Sequence, residues 1–290
     1  MSRPAILTVV ITYNGMKWVD ACLGSLRCSI MPTDVFVVDN CSTDGTPEYV
    51  RAHFPEVVLV QSDGNLGFGR ANNVGLKYAL EHGYDYVYLL NQDAWVMPDT
   101  LGRLMEAMAS QPEYGVLSPV QMVAAMDKPD AGFAEKCLKF PVDAYQDGHI
   151  YEVPFVMAAH WMISRECIEA VGGFSPVFYH YGEDDNYLDR VRFKGFKVGF
   201  VAGVHAVHDR EERTLTKAFR MRRKYIMALA RVSDPSNHLW LRLIYQPVEM
   251  LMWSLLWFSA DVLGYIPKLI ACYPDLIRRR RESFNRRAFL

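Results

Sequence analysis

Ile6-Leu7-Thr8-Val9-Val10-Ile11-Thr12-Tyr13-Asn14-Gly15 decides the fold. An apolar, β-branched run stops abruptly on a hydroxyl, a phenol, an amide and a glycine. The run is short, has no basic stretch before it and no small-residue cleavage site after it. It therefore reads as a buried strand and not as a secretion signal. Reading outward, Trp18 to Leu26 has a helical pattern, and Val35 to Val38 is a second strand ending at Asp39. Thr46 to His53 forms a helix behind the turn Asp44-Gly45, and Val57 to Val60 a third strand. Gly69 to His82 is a helix closed by Gly83, Tyr86 to Leu90 a fourth strand, and Pro98 opens the next helix. Strands alternating with short helices predict βαβ units in a parallel sheet, with the strands buried on both faces.

Residues 122–152 are rich in Asp, Gly, Pro and Lys and read as an inserted loop region. Helices follow at Ser164 to Val171, stopped by Gly172-Gly173, and at Glu183 to Phe193; Lys197 to Val201 is a strand. From about Thr214 the texture turns to long helices. The expectation is an α/β domain over 1–215 and a helical extension over 216–290.

The 290 residues are 51% hydrophobic and 22% charged, a globular composition large enough for a sizeable core. Net charge is only −2, but it is divided. Residues 1–209 hold 15 Lys/Arg against 26 Asp/Glu, net −11; residues 210–290 hold 16 against 7, net +9. An acidic body with a basic tail suits an anionic contact for the tail. Nucleic acid is disfavoured because the body would repel it, which leaves a membrane. The six cysteines form no C-x-x-C pair and no zinc-finger spacing, as expected of reduced thiols in a cytoplasmic protein.

In open α/β sheets, ligands bind at the carboxyl ends of the strands. Here those ends carry Thr12-Tyr13-Asn14-Gly15, Asp39 to Gly45, Asp63 to Asn73 and Asn91-Gln92-Asp93. Each stretch alone is explicable as a turn or cap. Together they describe a polar cleft able to hydrogen-bond a base, a ribose and a metal–phosphate. Gly67-x-Gly69 has Asn72 at the third glycine position and follows the wrong strand for a dinucleotide fingerprint. Glu183-Asp184-Asp185 opens a helix, where the macrodipole favours acids, and clustered carboxylates raise one another's pKa as a general base requires. His205 and His208 follow the last strand; beside Asp93, a histidine completes an oxygen/nitrogen site suited to Mn²⁺ or Mg²⁺.

In order, these pieces resemble a family 2 glycosyltransferase of the GT-A fold. They are Val9-Val10-Ile11-Thr12-Tyr13-Asn14, Val37-Val38-Asp39-Asn40-x-Ser42-x-Asp44-Gly45 and Asn65-x-Gly67-Phe68-Gly69-x-Ala71-x-Asn73-x-Gly75. Leu89-Leu90-Asn91-Gln92-Asp93, Val171-Gly172-Gly173-Phe174, Gly182-Glu183-Asp184, Arg190 and His208 complete the set. The resemblance covers roughly residues 5–210 and is greatest to bacterial rhamnosyltransferase-like and galactofuranosyltransferase-like enzymes of surface polysaccharide assembly. It implies a Rossmann-like, mostly parallel sheet with helices on both faces. The implied activity is sugar transfer with inversion from a dTDP- or UDP-sugar to a glycan or lipid-linked acceptor. Asp39 would read the base, with Thr12, Tyr13, Asn14, Ser42, Asn65 and Gly67 lining the donor pocket and Arg70 near the phosphates. Asn91-Gln92-Asp93 would stand for the family's D-x-D, with Asp93 and His208 on the metal. Asp184 would be the base, with Asp185 the alternative, and Glu183, Trp161 and Gly173 would meet the acceptor. Two positions depart from the pattern, Asn91 and Asn186, where acids are expected. They keep a catalytically inactive sugar-nucleotide or glycan binder open as an alternative. A nucleotidyltransferase is a weaker one, since Thr12 to Lys17 lacks its glycine-rich loop.

The tail runs from Leu239 through Trp253 to Trp257-Phe258 and Tyr273, then Arg278 to Arg281, Arg286 and Arg287. Only 11 residues separate Glu249 from Asp261, too few to span a bilayer. Trp/Leu/Phe-rich helices beside arginines fit an interfacial helix on an anionic membrane. A helical subdomain packed on the body, or a dimer surface, is the alternative. The expected location is the cytoplasmic face of the cell membrane.

Overall fold

The computed structural model describes residues 5–210, 216–256 and 260–290. The elements run β1 Ile6–Thr12, α1 Val19–Arg27, β2 Asp34–Asp39, α2 Thr46–His53, β3 Val58–Gln61, α3 Phe68–His82, β4 Tyr86–Asn91 and β5 Ala94–Val96. They continue α4 Thr100–Ser110, β6 Tyr114–Met122, α5 Ala131–Cys137, β7 Ile150–Glu152, β8 His160–Ser164, α6 Arg165–Val171, α7 Glu183–Phe193 and β9 Lys197–His208. Three helices follow: α8 Lys217–Ser233, α9 Leu239–Leu256 and α10 Ile266–Glu282.

The described residues build one nine-stranded sheet, ordered β3-β2-β1-β4-β8-β6-β9-β5, with β7 paired to β9. The half β3-β2-β1-β4 is parallel, whereas β8 pairs antiparallel with both β4 and β6. Alternation along β1 shows how the layers form. Leu7 and Val9 pack on one face with α3, α6 and α7 residues; Ile6 and Val10 pack on the other with Val19, Leu23 and Leu104. Gly75 lets α3 lie close on β1, because a Cβ there would sit 2.4 Å from Val9 Cγ1.

Most expected elements stand within a residue or two of their predicted bounds. Four differ for physical reasons. The third strand is an exposed edge, with Val58 and Val60 facing solvent, not a strand buried on both faces. Pro98 lies ahead of α4, whose N-cap is Asp99. The last strand runs past Val201 to His208 through a bulge where Gly203 takes φ 74°. Residues 122–152 contain α5 and β7 as well as loop.

His160 and Trp161 are structural. Trp161 is wholly buried, its ring 6.1 Å from Phe174 and nearly parallel to it, and its Nε1 donates to Val156 O. It lies in the core, not on an acceptor-facing surface. His160 bridges Tyr88 OH at Nδ1 (2.7 Å) and Val207 O at Nε2 (2.8 Å), joining β4, β8 and β9. Burial pulls its pKa down to about 3, so the ring is neutral. A carbonyl only accepts, so Nε2 carries the proton and Nδ1 accepts from Tyr88.

The expected division at 215/216 falls beside residues 211–215, which lie outside the described residues, as do Trp257 and Phe258. Beyond it, α8, α9 and α10 share a core of Met221, Leu229, Val232, Met250, Leu269 and Leu276, to which the body adds Phe178. The chain end then returns to the body. Gly173 N donates to Ala288 O (2.8 Å), Asn73 Nδ2 to Phe289 O (3.3 Å), and Arg287 pairs with Glu169 (2.9 Å). Replacing Trp161 with Ala should cost about 3–5 kcal/mol in denaturant unfolding without any ligand. Unchanged stability with a raised acceptor KM would instead return Trp161 to the pocket.

Candidate functional site

Register aligns the polar strand ends. Thr12 pairs with Asp39 across β1 and β2, and Ile11 with Asn91 across β1 and β4. Asp39 is wholly buried, and its Oδ1 accepts from Thr12 Oγ1 (2.8 Å) and Ser42 Oγ (2.5 Å), while Oδ2 accepts from Ser42 N (2.9 Å). The same loops are stitched from above: Asn14 N donates to Ser42 Oγ, Thr43 N to Asn14 Oδ1 and Tyr13 N to Gln92 Oε1. Asn14 takes φ 47° and Cys41 φ 65°, so two tight turns face each other across this edge. Tyr13, 48% exposed, stands over it. Five of the residues expected to line the donor pocket, Thr12, Tyr13, Asn14, Ser42 and Gln92, are thereby held together around Asp39.

The loop before α3 forms the next wall. Asn65 Oδ1 accepts from Gly67 N (2.8 Å), and Tyr179 OH donates to Asn65 O (3.3 Å). Arg70 Nη2 donates to Pro176 O (3.3 Å), so its head is turned to the segment leading into α7. At Gly69 a Cβ would lie 2.8 Å from Phe174 Cβ and 3.8 Å from Glu183 Cβ. The glycines of this loop thus let it press against the acid-bearing helix.

Helix α7 is preceded by its N-cap Gly182, φ 86°, where a Cβ would meet Ile226 Cγ2 of α8 at 2.6 Å. Glu183 is buried, and its Oε2 has no hydrogen-bond partner among the described residues. Asp184 and Asp185 are half-buried. All three carboxyls titrate above their ordinary range. Desolvation is the main cause for each. For Asp184, repulsion from Asp185 and Glu183 adds to it, raising this group far above the usual value. Asp185 is partly relieved by Lys136, Arg223 and Arg192. Asn186, the amide in place of an acid, accepts from Arg190 Nε (3.2 Å) and so belongs to the scaffold.

Asp93 and His208 come together from the β4–β5 turn and the last residue of β9, with Oδ1 and Nε2 3.8 Å apart. His208 aligns with Ala94, and Asp209 N donates to Asp93 O. His205 faces elsewhere, in the outer groove with Asp147 and Gly203. No cluster of three His, Cys, Asp or Glu suited to a metal occurs among the described residues. Two donors nonetheless fit a divalent ion whose remaining ligands are diphosphate oxygens and water. Gly173 is buried between Asn73 and Leu290, and its N–H goes to Ala288 O. β5 and β6 carry no site motif legible in sequence, yet the pairing of β5 with β9 sets Asp93 beside His208. The one usable signal was Ala94-Trp95-Val96, a three-residue apolar run directly after Asp93.

A protein-family model described as "Glycosyl transferase family 2" matches residues 8–172. An undecaprenyl-phosphate mannosyltransferase of Micrococcus luteus is 35% identical over 106 residues, 36% of this chain and 44% of that protein. The chain thus matches under half the length of that relative. An N-acetylglucosaminyl-diphospho-decaprenol L-rhamnosyltransferase of Mycobacterium tuberculosis is 24% identical over 239 residues, covering 71% of this chain and 76% of the relative. The fold is shared with a mannosyltransferase from Pyrobaculum calidifontis solved with GDP-Man and Mn²⁺. Its TM-score is 0.61 at 22% identity, over 94% of this chain and 76% of that one.

The raised carboxyls of α7 carry a stability signature. Their protonated forms are favoured by folding, so the stability they lend is complete below the ordinary carboxyl range and is lost as pH rises toward their folded values. Asp184→Asn should therefore unfold at higher denaturant than wild type at pH 8, with the gap closing near pH 4. An equal gap at both pH values would show that the carboxyl is not desolvated.

Proposed function

The chain belongs to glycosyl transferase family 2, and from that premise we propose that it moves a sugar, with inversion, from a dTDP- or UDP-sugar to a lipid-linked or glycan acceptor in surface polysaccharide assembly. The contact that carries this reading is the meeting of the Asn65–Gly69 loop with the acid-bearing start of α7. It sets the polar strand ends against a desolvated carboxyl.

Asp39, fixed by Thr12 and Ser42 and buried beneath the two turns, would underlie the base, with Tyr13 offering an exposed ring face above it. Asp184 takes the proton of the acceptor hydroxyl. The hydroxyl oxygen bonds to the anomeric carbon as the bond to the phosphate oxygen breaks on the opposite face, and the nucleoside diphosphate departs. Desolvation and its acidic neighbours raise the pKa of Asp184, so its ionised form is a stronger proton acceptor than an ordinary carboxylate. One displacement needs one such carboxylate, unlike the pair used by glycosidases. Glu183, whose buried Oε2 has no hydrogen-bond partner among the described residues, would orient the acceptor hydroxyl. Asp93 and His208 would hold Mn²⁺ or Mg²⁺, which when bound supplies charge neutralisation at the departing diphosphate.

The proposed place of action is the cytoplasmic face of the membrane. No helix among the described residues is long and apolar enough to cross a bilayer. The outer face of α9 instead exposes Trp240, Leu241, Ile244 and Leu255, each by 65% or more.

A panel of nucleotide-sugars with Mn²⁺ or Mg²⁺ tests the reading by release of nucleoside diphosphate. Asp184→Asn should lower kcat by about 10²–10⁴-fold with donor binding kept. Asp93→Ala should weaken metal-dependent donor binding. Donors that bind by calorimetry but never turn over, even with membrane extract as acceptor, would identify an inactive binder.

A further inference from the structure

The helical extension contains a built cleft that the sugar-transfer scheme leaves unused. It is a cavity of about 330 Å³ between α8 and α9. From α8 come Arg220, Arg223, Lys224 and Arg231, spaced three, one and seven residues apart and so on one helical face. From α9 come Glu249 and Trp253. The cations outnumber the one acid, which is already paired with Arg231 at 2.6 Å. Lys224 Nζ lies 3.8 Å from the centroid of the Trp253 ring, so the cleft wall is at once cationic and aromatic.

Two neighbours give the cleft a direction. On one side α8 packs on the start of α7, where Ile226 nearly touches Gly182 and the charge of Arg223 reaches Asp185. On the other, α9 turns an apolar stripe outward. Leu241, Ile244, Val248, Leu251 and Leu255 recur at three- and four-residue steps and are 46–70% exposed. Three of the arginines expected to meet a membrane are paired within the fold. Arg280 is buried and donates to Val232 O and Pro235 O, while Arg286 and Arg287 pair with Glu169.

We propose that the α8–α9 cleft seats the phosphate of a membrane lipid, with the outer stripe of α9 lying in the acyl boundary of the same leaflet. A lipid phosphate fits both halves of the observation. Arginine forks and an ammonium match its charge and its oxygens, and an apolar helix face lies beside them where acyl or isoprenyl chains begin. A soluble anion would leave the stripe unexplained, and an apolar protein partner would leave the cations unexplained. The lipid's distal sugar would extend past Arg223 toward Asp184. That last assignment, the lipid as acceptor, rests on the transferase reading above.

The test is sedimentation of the full chain, without donor, on three vesicle types. These are phosphatidylcholine alone, phosphatidylcholine with phosphatidylglycerol, and phosphatidylcholine with a long isoprenyl phosphate at matched charge. Both anionic vesicles should bind more tightly than the neutral one, and the isoprenyl phosphate most tightly. Two cationic contacts removed in Arg220→Gln/Arg223→Gln should weaken that binding about tenfold or more. Ile244→Glu/Leu255→Glu alters only exposed side chains; it should weaken binding to every vesicle while donor hydrolysis stays as in wild type. Equal binding to all vesicles would overturn the proposal. So would unchanged binding by the arginine variant, capture of free pyrophosphate but no vesicle, or a dimer formed through α9 that excludes lipid. Vesicle binding with no donor turnover supports the lipid seat and sinks the transferase reading. Donor turnover with no vesicle binding sinks this inference alone.

Discussion

The guanidinium of Arg190, 1% exposed, gathers four parts of the chain around one charge. It donates to Val171 O at the end of α6, to Gly173 O and to Asn186 Oδ1 in its own helix, and it lies 5.1 Å from the ring of Phe289. Burial lowers its pKa to about 10, which still leaves it charged. All three hydrogen-bond partners are uncharged, so the carbonyls are bound as tightly as the group needs them. Without it, each buried acceptor would be left unpaired at about 1–3 kcal/mol. The start of α7 sits about two turns upstream of this clasp. The angle at which Glu183 and Asp184 meet the α3 loop is therefore set from below, by a residue that touches no ligand.

Above that clasp, two opposed effects act on the acids. The N-terminus of a helix favours negative charge, by a few tenths to about 1 kcal/mol for each exposed group. Burial disfavours it, and in Glu183 and Asp184 burial prevails. The helix end therefore does not serve as a stabilising cap. It holds proton acceptors whose charge is costly, the condition in which a carboxylate gains most by taking a proton.

How much of this was legible in the sequence depended on the source of each signal. β1, β2, β4, α2, α3 and α7 announce themselves locally, by apolar runs, Pro47, Gly83 and the acid-led start of α7. The strand-end motifs then placed Thr12, Asp39 and Asn91 on one edge, because register in a parallel sheet brings such ends together. β6 was not legible. All nine of its residues are buried, but Gly115 and Pro119 interrupt the pattern. β5 is only three residues long and exists because β9 is there to pair with it. The positions of Trp161 and Gly173 were equally hidden. Nothing near them in sequence tells that aromatic rings from α7 and the returning chain end will cover them.

The bridge made by His160 has a spectroscopic consequence. Its Nε2 proton is held by Val207 O, one residue before His208, and the ring is sealed from solvent. That proton can exchange with heavy water only when the His160–Val207 contact, which reaches from β8 to β9, opens. Its downfield nuclear resonance is thus an internal clock for the breathing of the strand that carries His208, readable without substrate and in the same tube as the titration of the neighbouring acids.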